Sequence, residues 1–428
     1  MRRRFLLSAL ISAALPAGLL AGCSSNSGPA AASTTYLTAR NTADITVSSA
    51  AYQQADTGSE SFGLALLGSL GDAAGDTDVV FSPQTLVDLL AMILPGAQGR
   101  TAMQLSDALG DAGLSPAATA GALGRLDAAA RADANQGSNT LDESSDVWTA
   151  SGLKLAQSYL ATLDGAFGTG VHQTDFAKDP SGSTQAINQL VSQETHGYIP
   201  RLFDSGSLLP GTRLVLTDAV YLNASWASPF DPNETSKSAF YLANGSPTQV
   251  SMMNRIGEYK YASGNGWQLV ELPYSGGRTA MDILLPAQGS NTLSALRDGL
   301  SASSLNTMLS SMTEQSVTLI LPKFTTDYTA SGLIPDLTKL GLSSLFANAD
   351  LSGMTAGHER LGVSEIAEKA YVAVGEKGTV AAAAAGGAIG TSARVATGAT
   401  FDADHPFLYL VRDVSTGQLL FAGQYAGR

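Results

Sequence analysis

Gly375–Thr400 reads GEKGTVAAAAAGGAIGTSARVATGAT and lies between Tyr371-Val-Ala-Val374 and Pro406-Phe-Leu-Tyr-Leu-Val411, two segments with the branched and aromatic residues of strands. Between Thr379 and Gly390 it holds almost no large side chain. A loop longer than about 25 residues inside a compact domain is uncommon, and is usually functional or disordered. A flexible linker is one reading of this composition. The other is a segment able to become a strand. Extended, Thr379, Ala381, Ala383 and Ala385 face one way, and side chains that small would enter between existing strands without overpacking the core beneath.

Further motifs follow one another along the chain. Val79-Val80-Phe81-Ser82-Pro83-Gln84-Thr85-Leu86 leads into Leu90-Ala91-Met92 and Gly96-Ala97-Gln98-Gly99-Arg100-Thr101. Ile187-Asn188, Thr195 and Gly197-Tyr198-Ile199 come next, then Thr212–Leu216 continuing to Tyr221, Trp226 and Pro229-Phe230. Leu272-Pro273-Tyr274, Ile283–Pro286, Leu321-Pro322-Lys323-Phe324 and His405-Pro406-Phe407 complete the series. In this order over residues 59–428 the motifs resemble the serpin family of protease inhibitors. The segment after Tyr371 resembles its hinge, which reads roughly Glu-Glu-Gly-Thr-Glu followed by four small residues. Here the matching positions are Glu376, Gly378 and Thr379, then Ala381, Ala382, Ala383 and Ala384, with Val380 where the family usually has Glu.

The resemblance implies an α+β fold: helices around a large mixed central β-sheet, smaller sheets, and a long exposed reactive loop. It also implies a suicide mechanism against a serine protease, with cleavage of the loop, an acyl-enzyme, and insertion of the hinge into the main sheet as an extra strand. By the family's hinge-to-bond spacing the scissile bond is Ser392–Ala393, preceded by small uncharged residues that suit elastase-like or subtilisin-like proteases. Arg394 is the rival, and would direct the loop to trypsin-like enzymes. The expected partner is a target protease held in covalent complex; a monomer is expected, and no cofactor or metal is needed. The alternative within the family is a non-inhibitory carrier or interaction protein. Such members tend to carry bulky, charged or Pro residues at inward hinge positions, unlike Thr379 and these alanines.

At the point where the main sheet of such proteins opens, the resemblance aligns Ser82, Asp218, Trp226 and Glu368. Asp218 stands where Asn is usual and Glu368 where His is usual. Two carboxyls close together and partly buried should share a proton, because like charges disfavour double ionisation.

The N-terminus is read separately. Arg2-Arg3-Arg4, an apolar run from Phe5 to Leu20, and Leu20-Ala21-Gly22-Cys23 form a signal peptide over residues 1–22. Its ending resembles the bacterial lipobox, which makes Cys23 the lipidated first residue of an exported lipoprotein of the cell envelope or surface, held to a membrane by its anchor. The arginines also fit a twin-arginine signal. Residues 23–50 are expected as a disordered tether, with the polar run Ser24–Ser33 at its start, and 51–428 as one domain. Cys23 is the only cysteine, so no internal disulfide forms. Removal of the three arginines from the 24 basic residues leaves 21 against 37 acidic ones, a net charge near −16. That surface argues against nucleic acid and heparin-like partners.

Helical spacing is found over Glu60–Leu70, Pro83–Leu94, Thr101–Leu109, Pro116–Ala132, Leu153–Leu163 and Ser183–Thr195, with Ser82 as an N-cap before Pro83. Leu214–Trp226 reads as a strand covered on both faces. Gly266–Tyr274, Ala280–Pro286, Ser316–Phe324, Leu361–Val374, Phe407–Arg412 and Leu419–Tyr425 also read as strands. Catalytic readings fail on inventory, so the protein is not expected to be an enzyme. His358-Glu359 begins a His-Glu-x-x-His pair that is not completed. Ser151-Gly-Leu-Lys154 has β-lactamase spacing, but the companion motifs are missing. A solute-binding lipoprotein would share the lipobox and the acidity but would not need the Ala-rich loop.

Overall fold

The computed structural model describes residues 32–110, 113–289, 292–379 and 398–428. Its strands are β1 (Thr35–Leu37), β2 (Val79–Phe81), β3 (Thr140–Ala150), β4 (Val171–Thr174), β5 (Leu214–Ser225), β6 (Ser236–Tyr241), β7 (Pro247–Gly264) and β8 (Trp267–Pro273). They continue with β9 (Thr279–Pro286), β10 (Thr313–Pro322), β11 (Phe324–Ser331), β12 (Glu365–Gly375), β13 (Gly378–Thr379), β14 (Ala399–Asp402), β15 (Phe407–Asp413) and β16 (Leu419–Tyr425). The longer helices are α1 (Ser49–Ala74), α2 (Pro83–Ile93), α3 (Gly99–Ala108), α4 (Pro116–Ala134), α5 (Gln157–Phe167) and α6 (Pro180–Glu194). Two shorter ones, α7 (Thr292–Asp298) and α8 (Ala302–Ser310), follow β9.

The main sheet runs β1-β4-β3-β5-β13-β12-β11 and is mixed. β3 pairs antiparallel with β5, whereas β12 pairs parallel with β5 over Glu365–Tyr371 and Val215–Tyr221. The remaining strands form one nine-stranded sheet rather than separate smaller ones. The 18-residue β7 joins them, pairing with β6 over its first third, β10 along its middle and β8 at its end.

Between the sheets lies α2, buried at every position. Its start follows the local chemistry: Pro83 needs no N–H partner in the first turn, and the Ser82 hydroxyl accepts the Thr85 N–H at 3.3 Å. The chain order β5–β12 reflects side chains as well as hydrogen bonds, for Leu214, Leu216, Val220 and Leu222 are all fully buried, as a strand covered on both faces requires.

Two expectations need correction. Residues 35–50 are not part of a free tether. β1 pairs antiparallel with β4, the Tyr36 hydroxyl accepts the Gly170 N–H at 2.7 Å, and α1 begins at Ser49, capped by the Ser48 hydroxyl. A sheet edge offers unpaired N–H and C=O groups, and three residues of extended chain are enough to cover this one. Several strands absent from the sequence reading are present as well, chiefly β3, β7 and β11.

Candidate functional site: the hinge and the joint in the main sheet

β12 turns through Glu376-Lys377 into β13, and β13 lies between β12 and β5, with Thr379 opposite Val374 on one side and Ala224 on the other. Gly378 makes this close approach possible. Its φ of 150° is one that side chains rarely adopt, and a Cβ there would meet the Ala224 carbonyl oxygen at 2.0 Å. Only glycine fits.

The turn is held from several directions. The Trp226 N–H donates to the Lys377 carbonyl at 2.9 Å, the Phe230 N–H to the Glu376 carbonyl at 2.8 Å, and the Trp226 indole N–H to the Gly375 carbonyl at 2.9 Å. The Glu376 carboxylate accepts from the Thr235 hydroxyl at 3.0 Å and pairs with the Lys323 ammonium at 2.7 Å. Partial burial works to raise the Glu376 pKa, but the Lys323 ammonium and the hydrogen bonds hold it below the ordinary value. Thr379 is fully buried, and its hydroxyl meets the Tyr274 hydroxyl at 2.6 Å. The Tyr274 ring in turn stacks on Trp226, with centroids 4.6 Å apart and planes at 10°.

Further along the same two strands, Glu368 and Asp218 are direct partners in the parallel β12–β5 ladder. Both are buried. The Ser82 N–H donates to one Glu368 oxygen, and the Thr85 hydroxyl donates to Asp218. The Ser145 hydroxyl on β3 donates to the other Asp218 oxygen at 2.9 Å. The second Glu368 oxygen, Oε2, has no partner. Burial pushes the Asp218 carboxyl up to about 7, against the opposing hydrogen bonds from Thr85, Ser145 and the Ala219 N–H. Burial, and then the Asp218 charge, raises Glu368 well above the usual carboxylate range.

Ser82, Asp218 and Glu368 therefore come together, but Trp226 does not join them. It is eight residues past Asp218 on an extended chain, roughly 26 Å away at about 3.3 Å per residue, and belongs to the hinge base. Cys23, Ala381, Ala382, Ala383, Ala384, Ser392, Ala393 and Arg394 lie outside the described residues.

A family model for serpins, described as serine protease inhibitors, matches residues 57–427. The chain belongs to the serpin family. Among this serpin's relatives, Iripin-2 of Ixodes ricinus is 35% identical over 372 residues, covering 85% of this chain and 91% of its own. An uncharacterized serpin-like protein of Thermococcus kodakarensis is 33% identical over 356 residues, covering 82% of this chain and 81% of its own. The crystal structure of native protease nexin-1 with heparin superposes with a TM-score of 0.77 at 28% identity, covering 88% of this chain and 100% of that one. The complex of thyroxine-binding globulin with thyroxine gives 0.75 at 25%, covering 87% and 98%.

Within the serpin's hinge base, Tyr274, Phe230 and Lys323 carry contacts that the sequence reading did not assign. Each lies in one of the sequence motifs, Leu272-Pro273-Tyr274, Pro229-Phe230 and Leu321-Pro322-Lys323-Phe324, which carry the signal without a role attached. Below the joint, the serpin buries a second acidic group around a cavity of about 230 Å³ that includes Asp88, Asp127, Glu143 and Asp146, with Arg131 among them. Asp88 and Glu143 are raised well above the usual carboxylate range, mainly by burial and then by Asp127. No motif pointed to it.

Proposed function

We propose that this serpin inhibits serine-type endopeptidases as a suicide substrate. The observation that carries the reading is β13: the first two residues of a new strand already lie between β5 and β12, with Thr379 facing inward. A target serine attacks the Ser392 carbonyl, an ester forms, the bond to Ala393 breaks, and the new amine leaves with a proton. Freed at that end, the hinge extends β13 down the sheet. Six residues on from Val374, Thr379 and Ala224, the register of β13 would place Ala385 between Glu368 and Asp218. The parallel ladder between β5 and β12 parts, and two antiparallel ladders replace it. About 14 inserted residues at about 3.3 Å each carry the acylated protease roughly 45 Å along the sheet, which spoils its catalytic geometry before water can release it. Neither a cofactor nor a metal takes part. Incubation with a panel of serine proteases should give a complex that survives denaturing electrophoresis, with cleavage after Ser392 by elastase-like or subtilisin-like enzymes. Cleavage after Arg394 with a stable trypsin complex would move the bond; cleavage with no complex at all would overturn inhibition.

A second reading, a carrier, is favoured by one feature. A cavity of about 930 Å³ lies between α1, α7 and the β6–β7 turn, with Tyr241, Leu242, Arg297 and His405 on its walls. A structural neighbour, thyroxine-binding globulin, was solved with thyroxine. A ligand-binding screen on protein that forms no protease complex would support this reading.

Cys23 is proposed to carry the lipid that holds the exported protein at the cell envelope. Cys23→Ala should move it from the membrane fraction to the soluble one, and an unchanged distribution would remove the anchor.

A further inference from the structure

The insertion route just proposed runs between β5 and β12, and the Asp218–Glu368 pair sits across that route. This inference rests on that reading. We propose that the two carboxyls form a proton-controlled joint: a shared proton keeps the main sheet closed between β5 and β12, and its loss loosens the sheet there.

Geometry carries the argument. The two residues are cross-strand partners in a parallel ladder, so their side chains leave the same face of neighbouring strands. Both are buried, and Glu368 Oε2 has no hydrogen-bond partner. When one carboxyl is protonated there is a single charge, which Ser82, Thr85 and Ser145 can solvate from α2 and β3. When both are ionised, two like charges face each other across the ladder in a dry site. Separating the strands relieves that repulsion.

Among the described residues, no cation pairs with either carboxyl. From β3, Asp146 acts on Asp218, and Glu143 feels it in turn. From β11, Tyr328 is held neutral by burial and by Asp336, with Glu368 adding to the effect. The start of α2 offers the Ser82 N–H, favourable to one negative charge, with Asp88 farther along the helix. The guanidinium of Arg131 on α4 is paired with Asp127 and Glu143, and His172 on β4 faces Asp146. Glu194 at the end of α6 is itself raised, by burial first and then by Asp146. Lys369, next to Glu368, points to the other face and pairs with Asp327 at 2.8 Å.

The sign follows from the folded protein holding more protons than the unfolded chain. Burial raises the Asp218 carboxyl to about 7 and Glu368 well above the usual carboxylate range, against about 4 for either acid in the unfolded chain. Opening is therefore resisted at mildly acidic pH and eased as pH rises through about 7.

The experiment is hydrogen–deuterium exchange on the intact, uncut chain, so that it does not depend on loop insertion. After correction for the intrinsic pH dependence of exchange, the amides of Thr217–Tyr221 and Ala367–Lys369 should exchange about tenfold faster at about pH 8 than at about pH 6, relative to β8 and β9. Glu368→Gln keeps an acceptor for the Ser82 N–H, Asp218→Asn keeps one of the two oxygens that accept from Thr85 and Ser145, and each alone removes one of the two charges. Either single variant should reduce the excess, because the acid that remains keeps only the shift caused by its burial, and the double variant should abolish it. A wild-type excess that survives undiminished in both single variants, or no excess in the wild type, overturns the joint. Failure of the inhibitory reading would look different: the exchange result would stand, while protein cut in its loop would melt where intact protein melts.

Discussion

The hinge base and the joint are built on the same two strands, with opposite chemistry. At the hinge, the groups around Gly378 and Thr379 are held by directional partners, from the Trp226 and Phe230 amides to the Lys323 ammonium and the Tyr274 hydroxyl. At the joint, two buried acids face each other and one carboxylate oxygen has no partner. The lesson is one of division of labour. Where a strand must begin in one register, the backbone is fixed by many modest hydrogen bonds, each worth about 1 kcal/mol net. Where the proposed insertion would part the strands, the contact is made of groups that are costly to hold together. A change that removes chemistry should therefore weaken the hinge and strengthen the joint.

The largest effect tests the hinge. Thr379→Arg would force an unpaired guanidinium into the space beneath β13, at a cost of several kcal/mol in any state with the strand inserted. β13 is only two residues long, so the intact variant should still fold with those two residues displaced. Cut in its loop, it should lack the large gain in melting temperature expected of the wild type, and it should be turned over as a substrate with little complex on a denaturing gel. Normal complex formation would show that insertion does not depend on the inward face of Thr379.

The joint comes next, with the opposite sign. Because its carboxyls bind protons more tightly when folded, they make the wild type less stable as pH rises from about 4 to about 7. Asp218→Asn or Glu368→Gln, the variants used for exchange, should raise the melting temperature near neutral pH and leave it almost unchanged in acid, where the wild-type pair is already protonated. A loss of stability at every pH would mean that the acids hold the sheet together through Ser82, Thr85 and Ser145, and the contrast with the hinge would fail.

How much of this was legible in the sequence differed with the range of the interactions involved. α2 was readable because its signals are local: Ser82 caps it, Pro83 opens it, and apolar residues fill it. β5 was readable because burial on both faces leaves an unbroken apolar run. β3, TLDESSDVWTA, was not, since its buried acids and serines look like a solvated loop until α4, β4 and β5 supply their partners. β7 was missed for a related reason: it serves three neighbours in turn, so its pattern of burial shifts along its length. β1 is only three residues long and exists because β4 has an open edge. At the site, alignment with family motifs brought Ser82, Asp218 and Glu368 together. It could not separate Trp226 from them, because distance along a strand is not written in a motif.

The smallest effect refines the hinge, by asking whether its charges or its backbone do the fixing. Lys323 is partly exposed and pairs with Glu376 at 2.7 Å. Exposed pairs contribute little, about 0–1 kcal/mol, and are screened by salt. Lys323→Met keeps most of the apolar stem and removes the ammonium. The melting temperature of intact protein should fall only slightly, and less still at high salt. Because the pair lowers the Glu376 pKa, its contribution is present above the ordinary carboxylate range and lost as pH falls through the folded value. The difference between variant and wild type should therefore vanish in acid. A fall as large as the loss expected from Thr379→Arg would mean that the ion pair, rather than the Trp226 and Phe230 amides and Gly378, sets where the new strand starts. The backbone geometry argues against that, since Gly378 admits no side chain whether or not Lys323 is charged.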